Sequence, residues 1–202
     1  MRRSRLPICA AAIAVFAMYV APTGAPALVS LATPPSTATI VEGVSMGKVR
    51  LGMKKGAVVV ALGKPAWCFN AYSKDDQECD WLAPPDVKVK GLPYPLHGQG
   101  AVGVQFWKGS VTSITVTAPQ RERPGYQNVP LLSGWKTSKG IGLGSSLSAL
   151  LAAYPDAKRL PHWVSISRRQ GGRTSETRFL FLSFSGIVHQ ILVLQITPRP
   201  GG

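Results

Sequence analysis

The chain has 202 residues, with 23 Lys or Arg against 9 Asp or Glu and a formal net charge of +14. A balance this basic favours acidic partners (wall polymers, anionic lipid or an acidic protein) and bears on association rather than on fold. Three cysteines and three scattered histidines exclude a metal-rich chemistry, and no segment after the first apolar run is long enough to cross a membrane.

Taken in chain order, Met1-Arg-Arg-Ser-Arg5 is a charged start, Leu6 to Val20 an apolar run, and Ala25-Pro26-Ala27 a small-residue cleavage pattern. Residues 1–27 are therefore expected to be a signal peptide, leaving no transmembrane anchor after processing. Cys9 would be lost with it. The mature chain is expected to be secreted, extracellular or associated with the cell envelope, and export argues against a nucleic-acid partner. Residues 28–38 read as a flexible leader, and the remainder suffices for one compact domain or two small ones sharing a core.

The most informative feature is an internal repeat. Val49 to Pro65 aligns without a gap on Ile141 to Ala157, with Gly52 and Gly144 at matching places. Downstream, Val104 to Val116 matches Phe181 to Val193, with Gly109 and Gly186 at the same turn. A period this long repeats a whole helix-plus-sheet unit rather than a solenoid turn. The expected organisation is a first repeat over 39–117, a linker over 118–130, a second repeat over 131–197 and a frayed tail over 198–202.

Within the first repeat, residues 39–48 are expected to form a short helix weakened by Gly43 and Gly47. A second helix runs near Lys54–Leu62, with Val58, Ala61 and Leu62 as its apolar stripe. Gly63 and Pro65 end it. Strands are expected at Trp67–Ala71, Glu78–Leu82, Val102–Trp107 and Val111–Thr117. The second repeat offers Ser146 as a helix cap, a buried helix face of Leu147, Leu150, Leu151 and Tyr154, and strands at Trp163–Ser167, Arg178–Phe184 and Ile187–Thr197. Cys68 and Cys79 are the even pair left after export, and pairing is expected in an oxidising compartment. A metal site is the competing reading, with no third cysteine and no nearby histidine to support it.

This pattern implies an α+β class in which helices cover one face of an antiparallel sheet. Side chains alternate along strands. If Val104, Phe106, Ile114 and Val116 face the helices, then Gln105, Trp107, Val111 and Ser113 face away. The same register sends Leu180, Leu182, Phe184, Val188, Gln190 and Leu192 outward, with Trp163. That second-half face reads as strongly apolar, the mark of an interaction surface. The competing arrangements pack the two half-sheets on each other or cover the face with residues 118–135.

Gly52-Met53-Lys-Lys-Gly-Ala-Val-Val-Val-Ala-Leu-Gly63, followed by Cys68 and Cys79 across a hairpin, resembles the first half of the secreted β-lactamase inhibitory proteins of actinobacteria. The Gly-to-Leu-Gly-x-Pro pattern is also similar to SmpA/OmlA-type outer-membrane lipoproteins, which carry one such unit. The resemblance implies two tandem helix-loop-helix plus antiparallel-sheet repeats and binding through aromatics on the open sheet face, here Trp107, Trp163 and Phe184 beside Leu182. It also implies an acidic loop residue after the second cysteine, for which Asp86 is the counterpart. The second half has no cysteines and so lacks the family's second staple.

Catalytic chemistry finds no constellation. Gly43-Val44-Ser45-Met46-Gly47 fits the nucleophile-elbow pattern, which needs a strained strand-to-helix turn followed by an acid and a histidine. Here it sits near the expected mature start with no βαβ alternation around it. His97, His162 and His189 lack metal-ligand spacing, and Asp75, Asp76, Glu78 and Asp80 read as a solvated hairpin tip without calcium-loop order; the alternative for this cluster is one pole of a charge-complementary interface, given the basic remainder. Gly140 to Gly144 has no phosphate-binding context. No cofactor or metal is expected. The expectation is a secreted, non-catalytic protein-binding module acting through the open sheet face, with inhibition of an extracellular enzyme such as a β-lactamase as the form the resemblance implies. The alternative is a basic envelope factor on anionic wall polymer or lipid.

Overall fold

A computed structural model describes residues 37–71, 73–82, 101–119, 132–181 and 185–196. The expected signal peptide, most of the leader, nearly all of the linker and the tail lie outside them. The described chain is built of strands. β1 (Thr37–Val41), β2 (Ser45–Met46) and β3 (Val49–Arg50) precede α1 (Lys55–Leu62); β4 (Trp67–Asn70), β5 (Asp76–Trp81), β6 (Val102–Trp107) and β7 (Ser110–Thr117) follow. β8 (Gly134–Thr137) and α2 (Leu147–Ala153) lead to β9 (Lys158–Arg159), β10 (Trp163–Gln170), β11 (Arg173–Phe181) and β12 (Val188–Ile196).

The strands form two sheets. A four-stranded sheet has the order β3-β2-β1-β8, and an eight-stranded sheet the order β4-β5-β6-β7-β12-β11-β10-β9. The large sheet is antiparallel throughout, whereas β8 joins the small one in parallel with β1. This corrects the expected α+β class of tandem helix-loop-helix units with helices on one sheet face. Only two helices are described, of 8 and 7 residues, and a second sheet shares the core. The helix expected over 39–48 is instead the hairpin β1–β2. Its β-branched run Thr37-Ala-Thr-Ile-Val41 favours a strand, and Gly43 and Gly47 take left-handed conformations (φ +67° and +58°) that turn the chain on either side of β2.

Ile40, Met46, Val49 and Trp135 from the small sheet lie in one core with Trp81, Val104, Phe106, Ile114, Val116, Phe179 and Ile191 from the large sheet. Val58, Leu62 and Leu150 bring the helices into it. The Ser146 side chain accepts from Ala149 N–H at 3.1 Å, capping α2 as expected; Lys54 makes no such cap on α1. The hairpin β1–β2 is tied to the large sheet by Gly43 N–H donating to Thr177 Oγ1 at 2.7 Å. Tyr154, just past α2, donates to Glu42.

The repeated segments make matching backbone hydrogen bonds. Gly52 N–H donates to Val111 O and Gly144 N–H to Val188 O, at 2.8 and 2.9 Å. Val111 donates to Met53 and Val188 to Ser145, both at 2.9 Å; Lys55 donates to Gly109 and Leu147 to Gly186. Each repeat also carries a β-bulge at the same place. Gln105 pairs with Ser113 but Phe106 with Val111, and Leu180 pairs with Gln190 but Phe181 with Val188. The extra residues are Thr112 and His189. Each bulge shifts the alternation by one, so Val111 and Val188 are buried (1% exposed each) rather than facing outward.

Candidate functional site: the open face of the large sheet

The face of the large sheet away from the core carries, strand by strand, Trp67 and Phe69 on β4, then Asp76, Glu78 and Asp80 on β5. Gly103, Gln105 and Trp107 continue it on β6, and Ser113 and Thr115 on β7. Beyond the seam lie Gln190 and Leu192 on β12, Arg178 and Leu180 on β11, and Trp163 on β10. Alternation alone dictates this set: the intervening Cys79, Trp81, Val104 and Phe106 are fully buried on the core side.

At the seam the face is hollowed into a groove of about 240 Å³, lined by Glu78, Asp80, Gly103, Gln105, Ser113, Thr115, Gln190 and Leu192. Gly103 makes the hollow by contributing no side chain. A methyl group there would stand 3.3 Å from Asp80 Oδ1 and 3.8 Å from Thr115 Cβ. Gln105 Nε2 donates to Asp76 Oδ1 at 3.1 Å, and Gln190 Nε2 to Thr117 Oγ1 at 3.1 Å. Burial, reinforced by the neighbouring Asp76 charge, pushes the Glu78 carboxyl above the ordinary glutamate value. Asp76 and Asp80 are 5% and 3% exposed and Glu78 between them is half-buried, so the acidic row on β5 is not the solvated hairpin tip expected. Among the described residues no group of three or more His, Cys, Asp or Glu could hold a metal ion.

Trp107 is 47% exposed and Phe69 39% exposed; Phe69 stacks with Trp67 at 4.9 Å. Trp163 lies on the same face, half-buried, with the Arg178 guanidinium 5.7 Å from its ring centre. Arg178 in turn pairs with Glu176 at 2.8 Å. The described second-half face is therefore mixed rather than strongly apolar, and its leucines are half-buried. Trp107 and Trp163 do not form one cluster: four strand spacings, roughly 19 Å, separate them across the sheet, and about six residues, roughly 20 Å, along the strands. Leu182, Phe184 and Asp86 lie outside the described residues, as does the loop 83–100.

Cys68 and Cys79 form the expected disulfide, directly opposite each other on β4 and β5. Ser45 of the nucleophile-like pattern is 6% exposed within β2, in a strand–turn–strand setting without a helix to follow. His189 sits at the second bulge with a buried Nδ1 that has no hydrogen-bond partner among the described residues, and burial holds its imidazole below the usual histidine range. Gly103 and Thr115 are lining residues that the sequence reading misses, whereas Glu78 and Asp80 belong to the acidic cluster for which it holds a charge-complementary interface as the alternative. The signal for the two acids was present in the alternation Asp76-x-Glu78-x-Asp80 opposite Cys79 and Trp81. Gln105, Ser113, Gln190 and Leu192 were placed on this face by the strand register and are found there.

No family model matches the chain, and no curated protein matches it. Among solved structures it is similar to an extracellular protein containing a SCP domain from Bacillus anthracis str. Ames, with 11% sequence identity and a TM-score of 0.40. The match covers 72% of this chain and 44% of that one, so this chain spans less than half the length of that protein. A score of this size does not establish a shared fold. Among the described residues no helix is long and apolar enough to cross a membrane.

Proposed function

We propose that this chain is a secreted, non-catalytic module that binds a protein partner through the open face of its eight-stranded sheet. The observation that carries this reading is Trp107, about half exposed two residues along β6 from Gln105 of the polar groove, with Trp163 four strands away on the same face. Anchors so far apart suit a macromolecular footprint of the standard size, about 800 Å² per partner, better than a small ligand. The Cys68–Cys79 disulfide suits the oxidising setting of an exported protein. Inhibition of an extracellular enzyme such as a β-lactamase is the form this role takes in the family that Gly52–Cys79 resembles.

The test is affinity capture from culture fluid and envelope extracts with the wild type, Trp107→Ala and Trp163→Ala. Each truncation is expected to weaken capture by about 2 kcal/mol, roughly thirtyfold, with unfolding curves unchanged. Undiminished capture by both folded variants contradicts the reading, and a β-lactamase activity assay with added protein checks the inhibitory form of it.

A second reading has its own support. Arg168, Arg169 and Arg173 are exposed around the β10–β11 turn, and Lys158 and Arg159 are exposed on β9. This basic end fits anionic wall polymer or lipid. It predicts release from the envelope by moderate salt, because exposed charges are screened within about 8–10 Å.

A further inference from the structure

Resting on that binding role, we infer that the groove at the seam receives a basic side chain, guanidinium or ammonium, from the docked protein. The groove offers mostly acceptors. Glu78 makes no hydrogen bond or ion pair with a described residue, and among the described residues no Lys or Arg lines the hollow. Gln105 has committed its amide nitrogen to Asp76, and Gln190 its own to Thr117, so both amide oxygens remain for a donor. Arginine and lysine are the side chains that bring donors alone, with a charge to match.

Charge complementarity points the same way. The chain is strongly basic, yet Asp76, Glu78 and Asp80 follow one another along this face of β5, so the groove attracts what the rest of the surface repels. A cation entering the groove offsets the like-charge crowding of Glu78 by Asp76. Phe69, directly across the strand pair from Glu78 and 39% exposed, supplies an aromatic surface for the stem or the charge. The volume, about 240 Å³, lies below the roughly 300–1,000 Å³ of ordinary small-molecule sites and fits one inserted side chain.

The experiment titrates the ¹⁵N-labelled protein with Nα-acetyl-arginine methylamide, the lysine analogue, and the neutral isostere Nα-acetyl-citrulline methylamide, following backbone amide shifts. The cationic probes are expected to give saturable shifts centred on Glu78, Gly103, Gln105 and Ser113, and citrulline none of comparable affinity. Glu78→Gln is expected to weaken the arginine probe at least about tenfold, and Gly103→Ala to do so by filling the floor while keeping every carboxylate's charge, at the cost of a small shift of Asp80. Glu176→Gln, on a carboxylate already paired with Arg178, is expected to leave the affinity unchanged. Equal binding of citrulline overturns the inference in favour of a neutral polar ligand. Shifts centred elsewhere, or none at the highest probe concentration, overturn it outright. If the probes fail while Trp107→Ala still weakens capture, the groove inference falls and the binding role stands; probe binding with undiminished capture by both tryptophan variants shows a cation-binding groove but contradicts a docked protein as the source of the cation.

Discussion

Gly43 shows how much a single position decides in this molecule. Its backbone is left-handed (φ +67°), and a Cβ there would stand 2.6 Å from Ser175 Oγ and 3.0 Å from Arg168 Cβ. Its N–H also reaches Thr177 across the core. Gly43→Ala therefore meets both backbone strain and a contact that the neighbours must give way to. It is expected to lower stability by about 1–3 kcal/mol in urea unfolding, while Thr177→Val, which only removes the hydrogen bond, is expected to lower it by about 1 kcal/mol. Glu78 gives a prediction in pH. Its folded carboxyl titrates above the ordinary 4.5, so the folded state holds the proton more tightly than the unfolded one. Stability then falls as pH rises from the ordinary value through the raised one. Glu78→Gln is expected to remove this fall, matching the wild type at low pH and exceeding it above, as read from thermal midpoints across pH.

At the scale of elements, most strands of the large sheet were legible because they alternate and are bounded by turns. Val102–Trp107 was expected with the bounds observed, and the strands near 67–70, 76–81, 110–117 and 188–196 to within two residues. The second sheet was not legible. β2 and β3 are two residues each, too short for any periodicity, and β1 pairs in parallel with β8 nearly a hundred residues away, a partnership no local pattern reveals. The bulges were equally hidden: nothing in Ser110-Val-Thr-Ser announces that Thr112 is the extra residue, so Val111 was placed on the wrong face. The disulfide follows from simple pairing arithmetic, and it clamps β4, an edge strand of four residues, to β5. The loop-entropy model gives about 2.5–3 kcal/mol for closing so short a ring. Replacing both cysteines with serine is expected to cost about that much in equilibrium unfolding, and an unchanged midpoint would show that β4 is held by other contacts.

For the whole molecule, two halves with matched hydrogen bonds at Gly52 and Gly144 and a matched bulge in each are joined edge to edge through β7 and β12. The join makes one broad sheet. Its core face is buried under the small sheet and two short helices. Its other face carries the exposed aromatics and the groove. The sequence register brought Gln105, Trp107, Ser113, Gln190, Leu192 and Trp163 to that face. It could not show that Arg178 rests against Trp163 or that Gly103 opens a hollow beside Glu78, because both depend on pairing between strands distant in the chain. The most direct measurement is hydroxyl-radical footprinting of the protein alone and with its captured partner. Trp107 and Phe69 are predicted to lose reactivity in the complex, while Val60, 87% exposed on α1, keeps it. Protection of Val60 with Trp107 and Phe69 still reactive would place the partner elsewhere and contradict binding by the open face.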